Sequence, residues 1–231
     1  MSVFQLTEDL VFPDPSLAEE DGLLAIGGDL SMERLLLAYS NGIFPWYDEG
    51  SPILWWALNP RMVLIPEDFK ISKSLKQKIR KAEFSITFDG AFEKVIEQCS
   101  LVPRMDQHGT WITDEMKQAY IDLHKLGFAH SVECYFENEL LGGLYGVSLG
   151  KAFFGESMFH HKTDASKIAF CALMQKLKEW DFHLIDAQME TPLLKSFGAK
   201  LIPFEDYREK LNSALDFESK RGSWAELETE I

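Results

Sequence analysis

The sequence lacks the features that mark secreted, membrane-spanning or zinc-containing proteins. No apolar run approaches the roughly 20 residues that a membrane-spanning helix needs. The first residues, MSVFQLTEDLVF, have neither the basic start nor the apolar stretch of a signal peptide. Its three cysteines, Cys99, Cys134 and Cys171, are widely spaced and form no CxxC pair, which favours free thiols over a structural zinc site. We therefore expect a cytoplasmic, monomeric protein without a bound metal.

Basic residues are also scarce, and they are unevenly distributed. The chain has 23 Lys and Arg against 37 Asp and Glu, a formal net charge of −14. Six of the basic residues lie in one segment without an acidic residue, KISKSLKQKIRK at 70–81, so the rest of the chain has a net charge of −20. In the helix predicted there, Lys73, Lys76 and Arg80 form one outward stripe. This pattern suits a protein with one polyanionic and one cationic partner, and equally a solvated helix face.

The composition and the periodicity of the sequence change near residue 61. Residues 1–60 are rich in Pro, Gly and acidic residues and predict mostly loop, with one helix between Ser31 and Gly42. Residues 61–231 predict strands at 62–65 and 84–88, then two helices, a three-stranded meander, and helix, strand, helix, strand, helix. We predict an α+β protein with a small N-terminal domain at 1–60. A mixed-sheet domain at 61–231 follows, with an exposed acidic tail from Asp216.

One predicted strand contains two unexpected polar residues. In HLIDAQMET at 183–191, alternation of side chains places Asp186 and Gln188 on the same face as Leu184. Buried polar groups need hydrogen-bonding partners or a functional role. From these residues alone, a structural Asp–Gln pair that ties strands together is the simpler interpretation.

The order of elements after residue 61 is similar to the acyltransferase fold of the GNAT superfamily. A member that uses CoA normally has a glycine-rich turn at the start of the helix after its central strand, where backbone N–H groups bind the pyrophosphate. The corresponding stretch here, MFHHKTDASK, has no glycine. We therefore expect an acyl donor other than CoA, and no cofactor.

A set of short motifs resembles the bacterial leucyl/phenylalanyl-tRNA–protein transferase family. In chain order they are GLLAIGGDLS, GIFPW, ILWW, NPR, GTWIT, LLGGLYGV, GESMF, SK at 166–167, and IDAQ, and they extend from residue 22 to residue 188. The resemblance implies an enzyme that moves Leu or Phe, and less often Met, from aminoacyl-tRNA. The acceptor would be the α-amine of a protein that begins with Arg or Lys, which is thereby marked for degradation in the N-degron pathway.

The resemblance also assigns roles at the reaction centre. Asp186 and Gln188 correspond to the catalytic pair, in which Asp186 polarises Gln188 and the amide oxygen of Gln188 accepts a hydrogen bond from the attacking amine. A neutral amide is a poor base, so we expect Gln188 to orient the amine instead of deprotonating it. Glu156 would bind the amino group of the donor or the cationic acceptor terminus. A salt bridge to Lys or Arg at the edge of the core is the alternative role for Glu156.

Further residues are assigned to the two substrates. Trp46 and Trp111 match family tryptophans that contact the terminal adenosine of tRNA, and the basic stripe would hold phosphates of the acceptor stem. The expected apolar pocket for the amino-acid side chain is formed by Leu144, Met158, Leu173 and Ile185. Leu144 stands where Met is usual, and Leu173 where Phe occurs. Core packing is the alternative role for every one of these apolar residues.

Three other functions are compatible with parts of the pattern. A GNAT-type enzyme could acetylate amines from CoA, although the glycine-rich turn is missing. A noncatalytic RNA-binding protein could use the basic helix and the aromatic residues, but it would not need Asp186 and Gln188. A relative that adds amino acids to cell-wall precursors would share the fold but not the tryptophan motifs.

Overall fold

The N-terminal part of the computed structural model, which describes residues 3–102 and 112–225, contains a small sheet. Its strands are β1 (Phe4–Leu6), β2 (Leu23–Gly27), β3 (Phe44–Pro45) and β4 (Leu54–Trp56), in the order β1-β2-β4-β3. Helix α1 (Met32–Ser40) connects β2 to β3, and Ser31 caps it by accepting a hydrogen bond from the Arg34 N–H. The sequence predicted α1, but it treated the stretch that contains β2 as loop.

A seven-stranded mixed sheet forms the rest of the framework. Its strands are β5 (Arg61–Leu64), β6 (Ser85–Phe88), β7 (Ala129–Phe136), β8 (Glu139–Leu149), β9 (Ala152–His160), β10 (Leu184–Gln188) and β11 (Lys200–Ile202). They lie in the order β11-β5-β10-β9-β8-β7-β6. The β9–β10 pair is parallel and the other pairs are antiparallel. The predicted α+β class with a mixed sheet is confirmed.

Helices cover both faces of this sheet. They are α2 (Lys73–Arg80), α3 (Phe92–Ser100), α4 (Asp114–Lys125), α5 (Ala165–Glu179), α6 (Pro192–Ser196) and α7 (Phe204–Leu215). One buried cluster joins the small sheet to residues of α1, α3, α4 and α7. A second cluster lies on the other face, between the sheet and residues of α2 and α5. Helix α5 is the crossover that a parallel pair such as β9–β10 requires.

The C-terminal tail corrects the sequence prediction, because part of it is buried. Trp224 is only 1% exposed, and its indole stacks on the His130 ring with centroids 3.6 Å apart. The backbone N–H of Trp224 donates to Asp89 Oδ2 at 2.7 Å. Asp89 also accepts a hydrogen bond from the Ser131 N–H, through Oδ1. The presence of Trp in this charged tail was the sequence signal that the tail packs on the protein. Burial of so large an aromatic side chain offsets the entropy lost when the tail becomes ordered.

The described residues contain neither a membrane-spanning helix nor a cluster of metal-binding side chains. No helix in the described part of the chain is long and apolar enough to cross a bilayer. Within residues 3–102 and 112–225, no group of three or more His, Cys, Asp or Glu side chains is arranged to hold a metal ion.

Candidate active site

Strands β9 and β10 separate in the middle of the large sheet. Their parallel pairing extends only to Phe154 and Asp186. Beyond that point both strands are irregular in their other pairings. The register of β10 against β5 shifts between Asp186 and Gln188, and Glu156 is an extra residue of β9 opposite β8. Such bulges redirect side chains at the place where strand pairing ends.

A cavity of about 320 Å³ opens at this separation. Its wall includes all four residues that the sequence assigned to the amino-acid pocket, Leu144, Met158, Leu173 and Ile185. Other apolar parts of the wall come from β9, α5 and α6: Phe153, Phe170, Leu193 and Leu194. Glu156 and Gln188 also line the cavity. A mostly apolar cavity with a few polar groups at one side is the usual form of a small-molecule site.

Asp186 is completely buried and fully engaged by hydrogen bonds. Arg61 donates to both carboxylate oxygens, from Nε to Oδ1 at 2.8 Å and from Nη2 to Oδ2 at 2.7 Å. The Tyr207 hydroxyl donates to Oδ2 at 2.7 Å, and the Gln188 backbone N–H donates to Oδ1 at 2.9 Å. Asp186 therefore contacts the backbone of Gln188, whereas the resemblance implied a contact with its side chain.

Gln188 has an unusual backbone conformation, with φ of +52°. A left-handed conformation of a non-glycine residue costs on the order of 1–3 kcal/mol and needs support from its surroundings. The Asp186 carboxylate provides that support by accepting the Gln188 N–H. The strict alternation from which the sequence placed both side chains on one face is not kept. Asp186 and Gln188 pair with the consecutive residues Val63 and Met62.

The side chains of Gln188 and Glu156 are joined across the gap between the strands. Gln188 Nε2 donates to Glu156 Oε1 at 3.3 Å, and the Tyr120 hydroxyl donates to Oε2 at 2.9 Å. Tyr120 is in turn hydrogen-bonded to the Tyr39 hydroxyl. Burial raises the pKa of Glu156 to about 7, while its hydrogen bonds with Tyr39 and Tyr120 oppose that rise. The salt bridge to Lys or Arg, which was the alternative role for Glu156, does not occur among the described ion pairs.

Of the two predicted adenosine-binding tryptophans, the described residues include Trp46. Trp46 is half-buried, and its carbonyl accepts a hydrogen bond from Trp56 Nε1 at 2.7 Å. The Trp46 and Trp56 rings lie 5.7 Å apart. Trp46 is not among the described residues that line the cavity. Trp111 lies outside the described residues, so its assignment stays a prediction.

The basic stripe lies on the exposed side of α2. Lys73, Lys76 and Arg80 are exposed, whereas Leu75 is buried against the second cluster. Lys76 also lines a groove between α2 and α5. The three stripe side chains are therefore available for an external anion.

Four residues of the site were missed by the sequence interpretation: Arg61, Tyr207, Tyr39 and Tyr120. Arg61 has the clearest local signal, because it precedes the apolar residues MVL in β5 and a buried guanidinium needs an acidic partner. That partner, Asp186, is 125 residues away in the chain. The three tyrosines lie on helices α1, α4 and α7, where aromatic residues usually indicate core packing.

Comparisons with known proteins agree on one family. The family described as "Leucyl/phenylalanyl-tRNA protein transferase" matches residues 63–212, and the N-terminal domain of that family matches residues 28–58. A leucyl/phenylalanyl-tRNA–protein transferase of Maridesulfovibrio salexigens is 54% identical over 231 residues, covering 100% of this chain and 96% of that protein. The corresponding protein of Myxococcus xanthus is 49% identical over 228 residues, covering 98% of this chain and 97% of that protein.

Similarity to solved structures is more distant. A GCN5-related N-acetyltransferase from Kribbella flavida is 7% identical with a TM-score of 0.41, covering 72% of this chain and 59% of that chain. L-PGS from Bacillus licheniformis is 13% identical with a TM-score of 0.41, covering 87% of this chain and 65% of that chain.

Proposed function

Because the chain belongs to the leucyl/phenylalanyl-tRNA–protein transferase family and is an aminoacyltransferase, we propose the following specific reaction. The enzyme transfers Leu or Phe, and less often Met, from aminoacyl-tRNA to the α-amine of a protein that begins with Arg or Lys. The added residue marks the acceptor for degradation through the N-degron pathway. Aminoacyl-tRNA is a cytoplasmic metabolite, so the proposal includes a cytoplasmic location.

The cavity between β9 and β10 is the observation that carries this proposal. Its apolar wall suits an aliphatic or aromatic hydrophobic side chain, and a wall that includes Met158 tolerates several shapes. Its polar side, formed by Glu156 and Gln188, suits the amines that react or are recognised there. We propose that the cavity holds the donor amino acid with its ester carbonyl carbon near Gln188.

The reaction is aminolysis of an ester that is already activated. The acceptor nitrogen attacks the carbonyl carbon, a peptide bond forms, and the bond from that carbon to the ribose oxygen breaks. Holding the two reactants in attack geometry supplies up to roughly 7–11 kcal/mol in favourable cases. An α-amine has a pKa of about 7.7–8.0, so part of it is neutral near pH 7. The enzyme therefore needs to position the amine and to dispose of one proton.

We propose different roles for the two residues of the IDAQ motif. Gln188 turns its Nε2 towards Glu156, which leaves its amide oxygen to accept a hydrogen bond from the attacking amine. Asp186 is buried and has four donors, so it is a positioning residue that fixes the backbone of Gln188. We propose this backbone role in place of the polarisation of the Gln188 amide that the family resemblance implies for Asp186.

An assay with labelled aminoacyl-tRNA tests the proposed function. Purified protein is incubated with radiolabelled Phe-tRNA or Leu-tRNA and with peptides that begin with Arg, Lys or Ala but are otherwise identical. We expect label to be transferred to the Arg and Lys peptides and not to the Ala peptide. Acetyl-CoA replaces the tRNA in a parallel reaction. If the folded protein binds tRNA but transfers no label, the proposal is refuted. Acetylation of the peptides from acetyl-CoA would also refute it.

The basic stripe gives a prediction about tRNA affinity. Changing Lys73, Lys76 and Arg80 together to Glu should weaken tRNA binding at low salt by at least tenfold. The slope of log affinity against log salt concentration should also become shallower by about 2–3, because each neutralised phosphate contributes about 0.7–0.9. Affinity is measured by filter binding over a salt series.

A matched variant separates the stripe from the effect of total charge. Lys125, Lys200 and Lys210 are exposed and lie on α4, β11 and α7. Changing these three to Glu alters the net charge by the same amount. We expect a smaller loss of affinity and an unchanged salt slope. Equal slopes in the two triple variants would contradict the assignment of the stripe.

A further inference from the structure

Glu156 is the centre of a hydrogen-bonded chain that joins four elements of the fold. Tyr39 of α1 bonds Tyr120 of α4, Tyr120 donates to one oxygen of Glu156 in β9, and Gln188 of β10 donates to the other. Glu156 also lines the cavity at the point where β9 and β10 separate. Its carboxylate is therefore held in place and faces the space that a substrate would enter.

Among the described residues, the groups around Glu156 leave it without a cation of its own. Arg61 on β5 is the nearby positive charge, but its guanidinium makes a bidentate pair with Asp186 on β10. The other titratable groups facing this region are the phenols of Tyr39, Tyr120 and Tyr145, on α1, α4 and β8. Within residues 3–102 and 112–225, the hydrogen bonds to Glu156 thus come from neutral donors.

The neighbouring polar groups are poorly suited to receive a proton. Gln188 carries a neutral amide, which is a very weak base. All four donors of Asp186 would have to rearrange before its buried carboxylate could reach a substrate. A general base acts best when it lies within hydrogen-bond reach and has a pKa near the working pH. Glu156 is the described group that combines access to the cavity with this property.

We infer that Glu156 is the catalytic base of the transfer, an inference that rests on the proposed function. As the acceptor nitrogen bonds to the ester carbonyl carbon, one N–H proton passes to the Glu156 carboxylate. The bond from the carbonyl carbon to the ribose oxygen breaks, and the protonated Glu156 returns the proton to that departing oxygen. Gln188 orients the amine, and Tyr120 is a positioning residue that acts through Glu156.

The Glu156→Gln variant tests the base directly. Its amide keeps the size of the side chain but cannot take up the proton, so we expect kcat to fall about 10²–10⁴-fold. In the parent protein, log kcat with an Arg-initiated peptide should rise with pH through about 7, because Glu156 acts when ionised. The variant should lose the part of the rise near pH 7 and keep the part that ionisation of the acceptor amine causes at about pH 7.7–8.0. If Glu156 only anchors a cationic terminus, Glu156→Gln will raise KM and leave kcat unchanged. That result would overturn the inference.

The Tyr120→Phe variant tests the same inference without changing Glu156. Tyr120 donates to the carboxylate and so stabilises its ionised form. Removing the hydroxyl should raise the pKa of Glu156 and move the midpoint of the kcat profile upwards by roughly half to one pH unit. Ionisation of the acceptor amine is common to both enzymes, so it cannot produce this shift. The half-buried Tyr135, on β7, supplies the control Tyr135→Phe, which should leave the midpoint in place.

The outcomes distinguish this inference from the proposed function. If the parent protein transfers no label at any pH, the proposed function fails and the inference fails with it. If it transfers label but Tyr120→Phe has the parental midpoint, only the role of Glu156 as base is refuted. If Glu156→Gln does not fold, the comparison of Tyr120→Phe with Tyr135→Phe decides alone.

Discussion

Replacing Arg61 with Met is expected to lower the free energy of unfolding by about 3–5 kcal/mol. Arg61 and Asp186 are both 0% exposed, and the guanidinium donates to both carboxylate oxygens. The variant leaves Asp186 buried with only its bonds from Tyr207 and the Gln188 N–H. Burial removes the hydration free energy of the unpaired carboxylate, and hydrogen bonds from two neutral donors restore only a small part of it. Urea denaturation at pH 7, followed by circular dichroism, measures the change.

Two further variants identify the cause of that loss. The double variant Arg61→Met with Asp186→Leu removes both charges, so it should recover much of the stability that the single variant loses. It should nevertheless have low transfer activity, because the Gln188 N–H loses its acceptor and the left-handed backbone loses its support. Arg208→Met breaks an exposed pair with Glu205 and should change stability by less than about 1 kcal/mol. A single Arg61 variant as stable as Arg208→Met would contradict this account.

Replacing Trp224 with Ala is expected to lower the free energy of unfolding by about 3–5 kcal/mol, the range for large aromatic residues removed from a core. Trp224 packs on His130 and also lies 4.9 Å from the Trp180 ring, centroid to centroid. It is part of the second buried cluster. Its backbone bond to Asp89 can persist in the variant, so the loss reports the side chain. Thermal and urea denaturation measure the change.

Phe217 provides a matched control in the same tail. Its side chain is 46% exposed, and its described ring contact is with His183. Phe217→Ala should therefore change the free energy of unfolding by only about 0.5 kcal/mol. Equal, small effects of the two substitutions would show that docking of the tail contributes little to stability.

Local patterns predicted those elements whose ends are determined by neighbouring residues. Helix α4 begins at Asp114 because the Thr113 hydroxyl accepts the Met116 N–H, a cap that is visible in the sequence. In the predicted meander, the turn at Glu137 and Asn138 has positive φ at both positions, which is typical of a two-residue hairpin loop. In the same way, the alternation of apolar residues predicted the positions of β9 and β10. Information for these elements lies within a few residues along the chain.

Features that depend on distant partners could not be predicted in this way. Nothing near Arg61 identifies Asp186 as its partner, and nothing near Tyr120 identifies Glu156. The bulges at Glu156 and Gln188 arise where two strands stop pairing, which single-strand alternation cannot show. The pocket residues were found through the family resemblance, since Leu144, Leu173 and Ile185 have the pattern of ordinary core. The geometry that relates Asp186 to the backbone of Gln188 came from the structure alone.

Helix α5 lies beside both surfaces that the proposed reaction uses. One side of it contributes Phe170 and Leu173 to the cavity, and another contributes Cys171 and Lys178 to the groove beside the basic helix α2. Its 15 residues form a rod about 22 Å long that no glycine or proline interrupts. Under the proposed function, α5 sets the distance between the phosphate contacts and the esterified end of the tRNA. An acceptor stem shortened by a few base pairs could then engage the stripe or the cavity, but not both together.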